Sequence, residues 1–430
     1  MASTSLYRTE SAGNRRTFTW SAWVKRSKLG GSQFLASCSY SASDEAYIYF
    51  NGDNQLLWQV TGGSSHGELQ TNRKFNDTNG WYNIILAFDT TQSTSSNRMK
   101  LYINGVQETS FLTVTYPSQD TQVYWNVGGS YYPRIGKAHA NANNFDGLMS
   151  HVVGIDGTQE LPTIFGSTDS TTGEWKIKTS ITPSVGWGTN GYHILKDGNS
   201  LTDQSGQGNN WTAIGTLTKT EDNPSNVFCT MNPLTSGGTN SVSFNRGNNQ
   251  VNFDHYGQWW SIYSTLGAIT GKYYAEVLTD AIGGETSVGI ISSDTASLNQ
   301  GTGDYIGKET DSIGYLNNGR TMKANSNQQT GLTALSSTSV VGIAMDLDNN
   351  SVQFYVNGAS TGNAISLTAN KFYLFGTSGY SGARHRWNFG NGYFGSTQIS
   401  SAGTNASGNG IFEYDVPTGF TALSTKGLNL

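Results

Sequence analysis

The chain has 430 residues, enough for two or three domains that each bury a core. Only 13% of them are Asp, Glu, Lys or Arg, and the net charge is −5 with no basic run, which argues against a nucleic-acid partner. Helices are disfavoured by 53 glycines, whereas 12% aromatic residues and eight Asn-Gly pairs suit strands joined by tight hairpins.

Residues 1–165 are predicted as a first sandwich. The opening MASTSLYRTESAGNRR has no apolar core of the signal-peptide kind, and no run approaches the ~18 apolar residues of a membrane-spanning helix. A chain made in a cytoplasm, without a membrane partner, is expected. TFTWSAWVK (17–25) alternates with Phe18, Trp20 and Ala22 on one face and is predicted to shift at Trp23. Short strands follow at 33–38, 46–50 and 55–60, separated by Ser/Gly turns. WYNIILAFDTTQSTSSNRMKLYINGVQ (81–107) is then a meander: an apolar strand ending at Asp89, a polar turn, and an alternating strand ending in Asn104-Gly105. Leu101 and Ile103 point one way, Lys100 and Tyr102 the other, the pattern of a strand with one face buried and one in water. FDGLMSHVVGI (145–155) closes the sandwich.

Residues 166–236 are predicted as an irregular connector, of which 191–212 pairs back onto the first sandwich. Pro224, Pro233 and a Ser-Gly-Gly stretch mark 221–238 as the linker. Residues 237–400 repeat the design, with strands at 272–278, 286–292 and 312–316. VVGIAMDLDNNSVQFYVNGAS (340–360) is a second meander, again with an aspartate (Asp346) at the end of its first strand and Asn357-Gly358 at the end of its second. Val352, Phe354 and Val356 share one face. Strands at 372–376 and 387–390 follow, and 401–430 is a Gly/Ser-rich tail with an apolar anchor at Phe412, Tyr414 and Phe420. The predicted fold class is all-β, two antiparallel β-sandwiches (jelly rolls) in tandem with a short C-terminal tail.

These residues carry resemblances. TFTWSAWVKRSKLG, the 81–107 meander and FDGLMSHVVGIDG resemble a laminin-G-like, concanavalin A-type jelly roll. GKYYAEV, SVGIIS, SIGYLNNG, the 340–360 meander, FYLFGTSGY and WNFG come in the order of a SPRY domain. The opening SLYRTESAGNRRTFTWSAWVKRSKLG and the closing PTGFTALSTKGL are similar to uncharacterised virion proteins of marine bacteriophages. That resemblance implies a non-enzymatic virion structural protein, a tail or head fibre or a capsid decoration component. It would be located in the virion, contact other virion proteins and form a homo-oligomer, for which a trimer is the candidate. A glycan-binding lectin serving as receptor-binding protein is the second reading, and a polysaccharide depolymerase the third.

The residues speak against an enzyme. A sandwich glucanase supplies two carboxylates from one strand as E-x-D-x-x-E. The nearest match, Glu413-Tyr414-Asp415, lacks the second glutamate, and Glu276 and Glu285 stand alone. Asp89 and Asp346 are read as turn caps. Gly303-Asp-Tyr-Ile-Gly307-Lys308 is one residue short of a phosphate loop, and Gly379-Tyr-Ser381-Gly lacks nucleophile-elbow spacing. His66, His139, His151, His193, His255 and His385 show no zinc spacing, and Cys38 and Cys229 are read as buried free thiols. No cofactor is expected; Ca²⁺ is left open because laminin-G-like folds hold it, with Asp44, Asp53 and Asp203 in polar loops. The candidate binding residues are the aromatic pairs Tyr131-Tyr132 and Trp259-Trp260, because adjacent strand residues face opposite ways and one of each pair should point outward. Glycan stacking, subunit contact and core packing all remain open uses for them.

Overall fold

The computed structural model describes residues 4–41, 44–129, 131–138, 143–196, 200–236, 242–254, 257–295 and 304–429. The chain is all-β, with short 3-10 turns as its only helical elements among the described residues. It divides into two compact units, Met1–Lys219 and Thr220–Leu430.

In the first unit an eight-stranded sheet packs against a six-stranded one. Thr17–Arg26 sits inside the six-stranded sheet, paired on one side with Trp81–Asp89 and on the other with Gly147–Asp156. Phe18, Trp20, Ala22 and Val24 all enter the core, so the alternation runs unbroken through Trp23. The expected shift does not occur. The irregularity lies across the ladder instead, between Ser150 and Val153 of the neighbouring strand. Phe18 stacks on Phe88 and Trp125 with ring centroids 4.7 and 5.1 Å apart.

The two meanders share their construction down to side-chain hydrogen bonds. Asn104 and Asn357 take φ of 49° and 50°, and the glycines after them take 76° and 80°, the positive values that a two-residue hairpin turn needs. Each asparagine then reaches across the ladder. Asn104 Oδ1 accepts the Asn83 N–H at 2.7 Å, and Asn357 Oδ1 accepts the Val340 N–H at 2.9 Å. The aspartates cap the preceding turns. Asp89 accepts from Thr91 and Gln92, and Asp346 from Asn349 and Lys272. Burial alone would raise both carboxyls, but these donors hold them below the usual aspartate range.

The outer face of each meander is largely covered, with the edge strand Val106–Gln107 of the first left exposed. In the first unit, residues after Asp156 fold back over the six-stranded sheet. Phe165, Ile164, Ile181 and Trp187 pack on Ile85, Ala87, Tyr102, Val153 and Ile155. In the second unit the C-terminal segment does the same: Phe412, Val416, Phe420 and Ala422 pack on Tyr274, Ala344 and Tyr355. An aromatic ring from each covering layer even sits on the equivalent turn glycine. A Cβ on Gly105 would lie 2.4 Å from the Trp175 ring, and one on Gly358 would lie 2.5 Å from the Tyr414 ring. Each unit is therefore a sandwich with a third layer, and the segment expected as an irregular connector is largely that layer. Tyr192–Ile194 extends the six-stranded sheet and Thr212–Ile214 the eight-stranded one.

The second unit again pairs an eight-stranded sheet with a six-stranded one, around a core that includes Val277, Val288, Ile343, Phe354, Phe375 and Trp387. Within 221–238, the expected linker, Phe228, Cys229 and Met231 are buried. The Cys229 N–H donates to Leu423 O and the Asn232 N–H to Tyr263 O. Its prolines bracket a run, Val-Phe-Cys-Thr-Met, that is too apolar to stay in solvent, so the segment joins the second unit. Gly237 and Gly238 lie outside the described residues. Cys38 and Cys229 are both buried, and neither is in a disulfide.

Candidate functional site

The site lies on the outer face of the second unit's six-stranded sheet. Directly opposed residues in an antiparallel ladder point to the same face. Trp259 opposes Tyr380, which opposes Glu285, so three adjacent strands place these side chains in one row. Two residues further in, Ser261, Ser378, Ser287, Leu316 and Arg320 form a second row on the same face. The three serines moor the segment Asp304–Ile306. Ser261 Oγ donates to Asp304 O at 2.9 Å, Ser378 Oγ accepts the Ile306 N–H at 2.9 Å, and Ser287 Oγ donates to Ile306 O. That mooring brings Tyr305 over Trp259, with ring centroids 4.9 Å apart and planes tilted by 33°. Tyr380 meets Trp259 edge-on at 5.8 Å.

Three aromatic rings are thus fixed at a partly exposed surface. Tyr305 donates to Asn325 Oδ1 at 2.8 Å, and Lys308 pairs with Asp304. Burial raises the Tyr305 phenol, with Arg320 and Lys308 drawing it down and Glu285 pushing it up, so these charges surround the ring.

The expected alternation is visible in the pair 259–260, whereas Tyr131 precedes the strand that begins at Tyr132. Trp260 faces the core and is 6% exposed, while Trp259 faces outward. Tyr132 is 38% exposed at the start of Tyr132–Ile135. Tyr131 lies flat against Tyr124, centroids 5.6 Å apart with planes 6° from parallel, and its hydroxyl reaches Asp44 Oδ2 at 3.5 Å. Arg15 lies over the other ring of that stack. The pairs at 131–132 and 259–260 belong to different units, each with its own surroundings. Tyr380 and Glu285 escape sequence reasoning because only strand register brings them beside Trp259, and Tyr305 and Arg320 because only the moored segment 304–306 links them to it.

Asp203 is enclosed by its own loop: Oδ1 accepts the His193 and Ser205 N–H groups, and Oδ2 accepts Ser205 Oγ and the Asn209 N–H. Asp53 sits on an exposed turn. Among the described residues no three His, Cys, Asp or Glu side chains gather as metal ligands. His151 and His193 stand 5.4 Å apart, centroid to centroid, and are buried. His385 is buried with both ring nitrogens in hydrogen bonds, to Thr286 and Thr377, and burial pulls its pKa down to about 3. His139, His255 and Gly303 lie outside the described residues.

Glu276 has a structural task. It is fully buried and receives the Glu413 N–H at 2.8 Å, the Tyr414 N–H at 2.9 Å, and longer contacts at 3.3 Å from the Tyr274 hydroxyl and the Asn388 amide. Burial outweighs these donors and pushes its pKa up to about 7. It fastens the C-terminal layer to the sheet and is sealed from any substrate.

Comparison with known proteins follows the same division. Residues 3–157 match the concanavalin A-like lectin/glucanases superfamily, and residues 272–392 match the SPRY domain. No curated protein matches the chain. Among solved structures, the PSpry domain of TRIM65 is 16% identical, with a TM-score of 0.30, over 37% of this chain and 91% of its own. The SPRY domain of human HERC1 is 15% identical, with the same TM-score of 0.30, over 36% of this chain and 96% of its own. This chain thus carries a laminin-G/concanavalin-like domain followed by a SPRY domain, two antiparallel β-sandwiches in tandem.

Proposed function

We propose that the protein is a non-enzymatic structural component of a bacteriophage virion, a fibre or capsid decoration protein that works by binding other virion proteins and recognises the host surface. Its place is the assembled particle, as a homo-oligomer. The observation that carries the reading is the pairing of two domain classes that typically bind protein or carbohydrate, framed by the virion-like opening and closing phrases. Exposed apolar side chains at sheet edges support a role in protein contacts. Phe111–Thr115 is the outermost strand of the eight-stranded sheet of the first unit and exposes Leu112 and Val114, while Val106 is 66% exposed on the outermost strand of the six-stranded sheet. An edge of this kind offers unpaired backbone groups and apolar surface to a partner strand. Against catalysis stands the burial of Glu276, which removes one of the few carboxylates that sequence offers to a hydrolase.

The test is immunogold labelling of purified particles with antibodies against this chain. Gold at one regular position, on head or tail, is expected. Unlabelled particles beside a labelled soluble fraction would overturn the virion assignment.

The second reading, a glycan-binding receptor protein, is favoured by the aromatic row at Trp259, Tyr305 and Tyr380, since partly exposed rings with polar neighbours are what a sugar-binding surface needs.

A further inference from the structure

The outer-face row of the second unit has features that packing does not require. Glu285 is exposed and forms no ion pair or hydrogen bond through its carboxylate among the described residues. The Arg320 guanidinium likewise has no acceptor among them, and its Nε is shut off from water without one. A guanidinium in that state is costly unless something completes it. Across the sheet Glu285 lies two strands from Trp259 and Arg320 two strands beyond Glu285, and the Tyr305 ring, which feels both charges, is held over Trp259 by the serine row beneath. Lys308 is already neutralised by Asp304. Lys308 is also drawn on by Glu309, which leaves Glu285 as an acceptor and Arg320 as a donor, of opposite charge, beside Tyr305.

We propose that the surface formed by Trp259, Tyr305, Tyr380, Glu285 and Arg320 binds a neutral hexopyranose unit of a glycan. The proposal rests on the host-recognition part of the function above. A pyranose has an apolar C–H face, which lies on an aromatic ring, and an equatorial rim of hydroxyls, which both donate and accept hydrogen bonds. Glu285 takes hydroxyl protons and Arg320 donates to hydroxyl oxygens. A cationic ligand would gain from the ring faces but meet Arg320, and an anionic one would meet Glu285. A neutral ligand with both donors and acceptors meets neither penalty. The Asn325 amide is tied to Tyr305 and lends rigidity to the ring, so little ordering is needed on binding.

The test uses the full chain and three probes: the methyl glycosides of β-glucose, β-galactose and α-mannose. Each is titrated to about 100 mM, a range set by the millimolar dissociation constants that few-contact ligands show. Tryptophan fluorescence and ligand-observed NMR report binding, and Nε-acetyl-lysine methylamide and lysine methyl ester serve as neutral and cationic comparison ligands. At least one glycoside is expected to saturate. Trp259→Ala should weaken it at least tenfold and Glu285→Gln severalfold, while Val185→Ala, at an exposed side chain of the other unit, should leave it unchanged. The melting temperature of each variant verifies its fold, and Glu285→Gln, an exposed change, keeps the test alive if Trp259→Ala does not fold. No saturation by any of the three glycosides, equal affinity in both site variants, or preferential binding of lysine methyl ester would overturn the proposal. So would loss of a virion-protein contact in Trp259→Ala without any sugar binding, which would make the row a protein interface. Gold labelling of particles carrying Trp259→Ala separates the two claims: sugar binding can fail while labelling persists, and labelling can fail while sugar binding persists.

Discussion

Glu276 shows how a residue's chemistry and its role diverge. As a lone glutamate on an apolar strand it invites a catalytic reading. In the folded chain it is the anchor for two backbone N–H groups of the C-terminal layer. The pH consequence follows from the direction of its shift. The folded-state pKa, about 7, lies above that of an unfolded glutamate. Stability from this group is therefore complete below the unfolded value and is lost as pH rises from about 4.5 to 7. Glu276→Gln should flatten that part of the second unit's stability profile. It should also lower the melting temperature at every pH, because an amide N–H would face the Glu413 or Tyr414 N–H, at a cost of about 1–3 kcal/mol. His385 acts in the opposite sense, since its depressed pKa means that stability held above about 6.5 falls away toward pH 3. Melting curves of wild type and variant from pH 4 to 8 separate the two. Parallel curves would show that Glu276 titrates as an ordinary carboxyl.

At the scale of elements, the repeated meander was legible and its surroundings were not. Strict alternation and Asn-Gly reveal both hairpins, and Leu101, Ile103, Val352, Phe354 and Val356 all lie in the cores as the alternation requires. The outer faces carry Tyr102 and Tyr355, and a tyrosine reads equally well as exposed or covered; both are covered. The covering segments have no periodicity and only strands of two or three residues, so their side chains, Phe165, Trp175, Trp187, Phe412 and Tyr414, read as isolated aromatics between turns. The same reason hides the candidate site, whose row depends on register between strands far apart in sequence. The C-terminal layer should therefore be essential to the second unit. Ending the chain at Gln398 would uncover Tyr274 and Phe228, remove the strand Thr421–Ala422 that pairs in parallel with Lys272–Ala281, and strip Glu276 of its backbone donors. Three such losses together exceed a few kcal/mol, a large part of a domain's stability. The truncated chain is expected to lose its second melting transition or to aggregate, while the first transition stays in place. An unshifted second transition would show that the layer is an ornament.

At the scale of the whole molecule, the boundary between units falls after Lys219, earlier than composition suggests, because 221–236 supplies buried side chains to the second unit. Brief trypsin treatment should cut at Lys219 and yield fragments ending and starting there, with 221–236 retained in the C-terminal piece. Early cleavage at Arg246, with 221–236 released, would contradict the assignment. Two three-layered sandwiches of domain classes that typically bind, a buried Glu276 and an outward-facing aromatic row support the proposal of a chain that binds and does not cut. The most direct test of that claim is to incubate the purified protein with polysaccharide from the host surface, following bound protein and newly formed reducing ends in the same samples. Binding that saturates while reducing ends stay at the level of the protein-free control is the predicted result. A steady release of reducing sugar in proportion to protein concentration would contradict it.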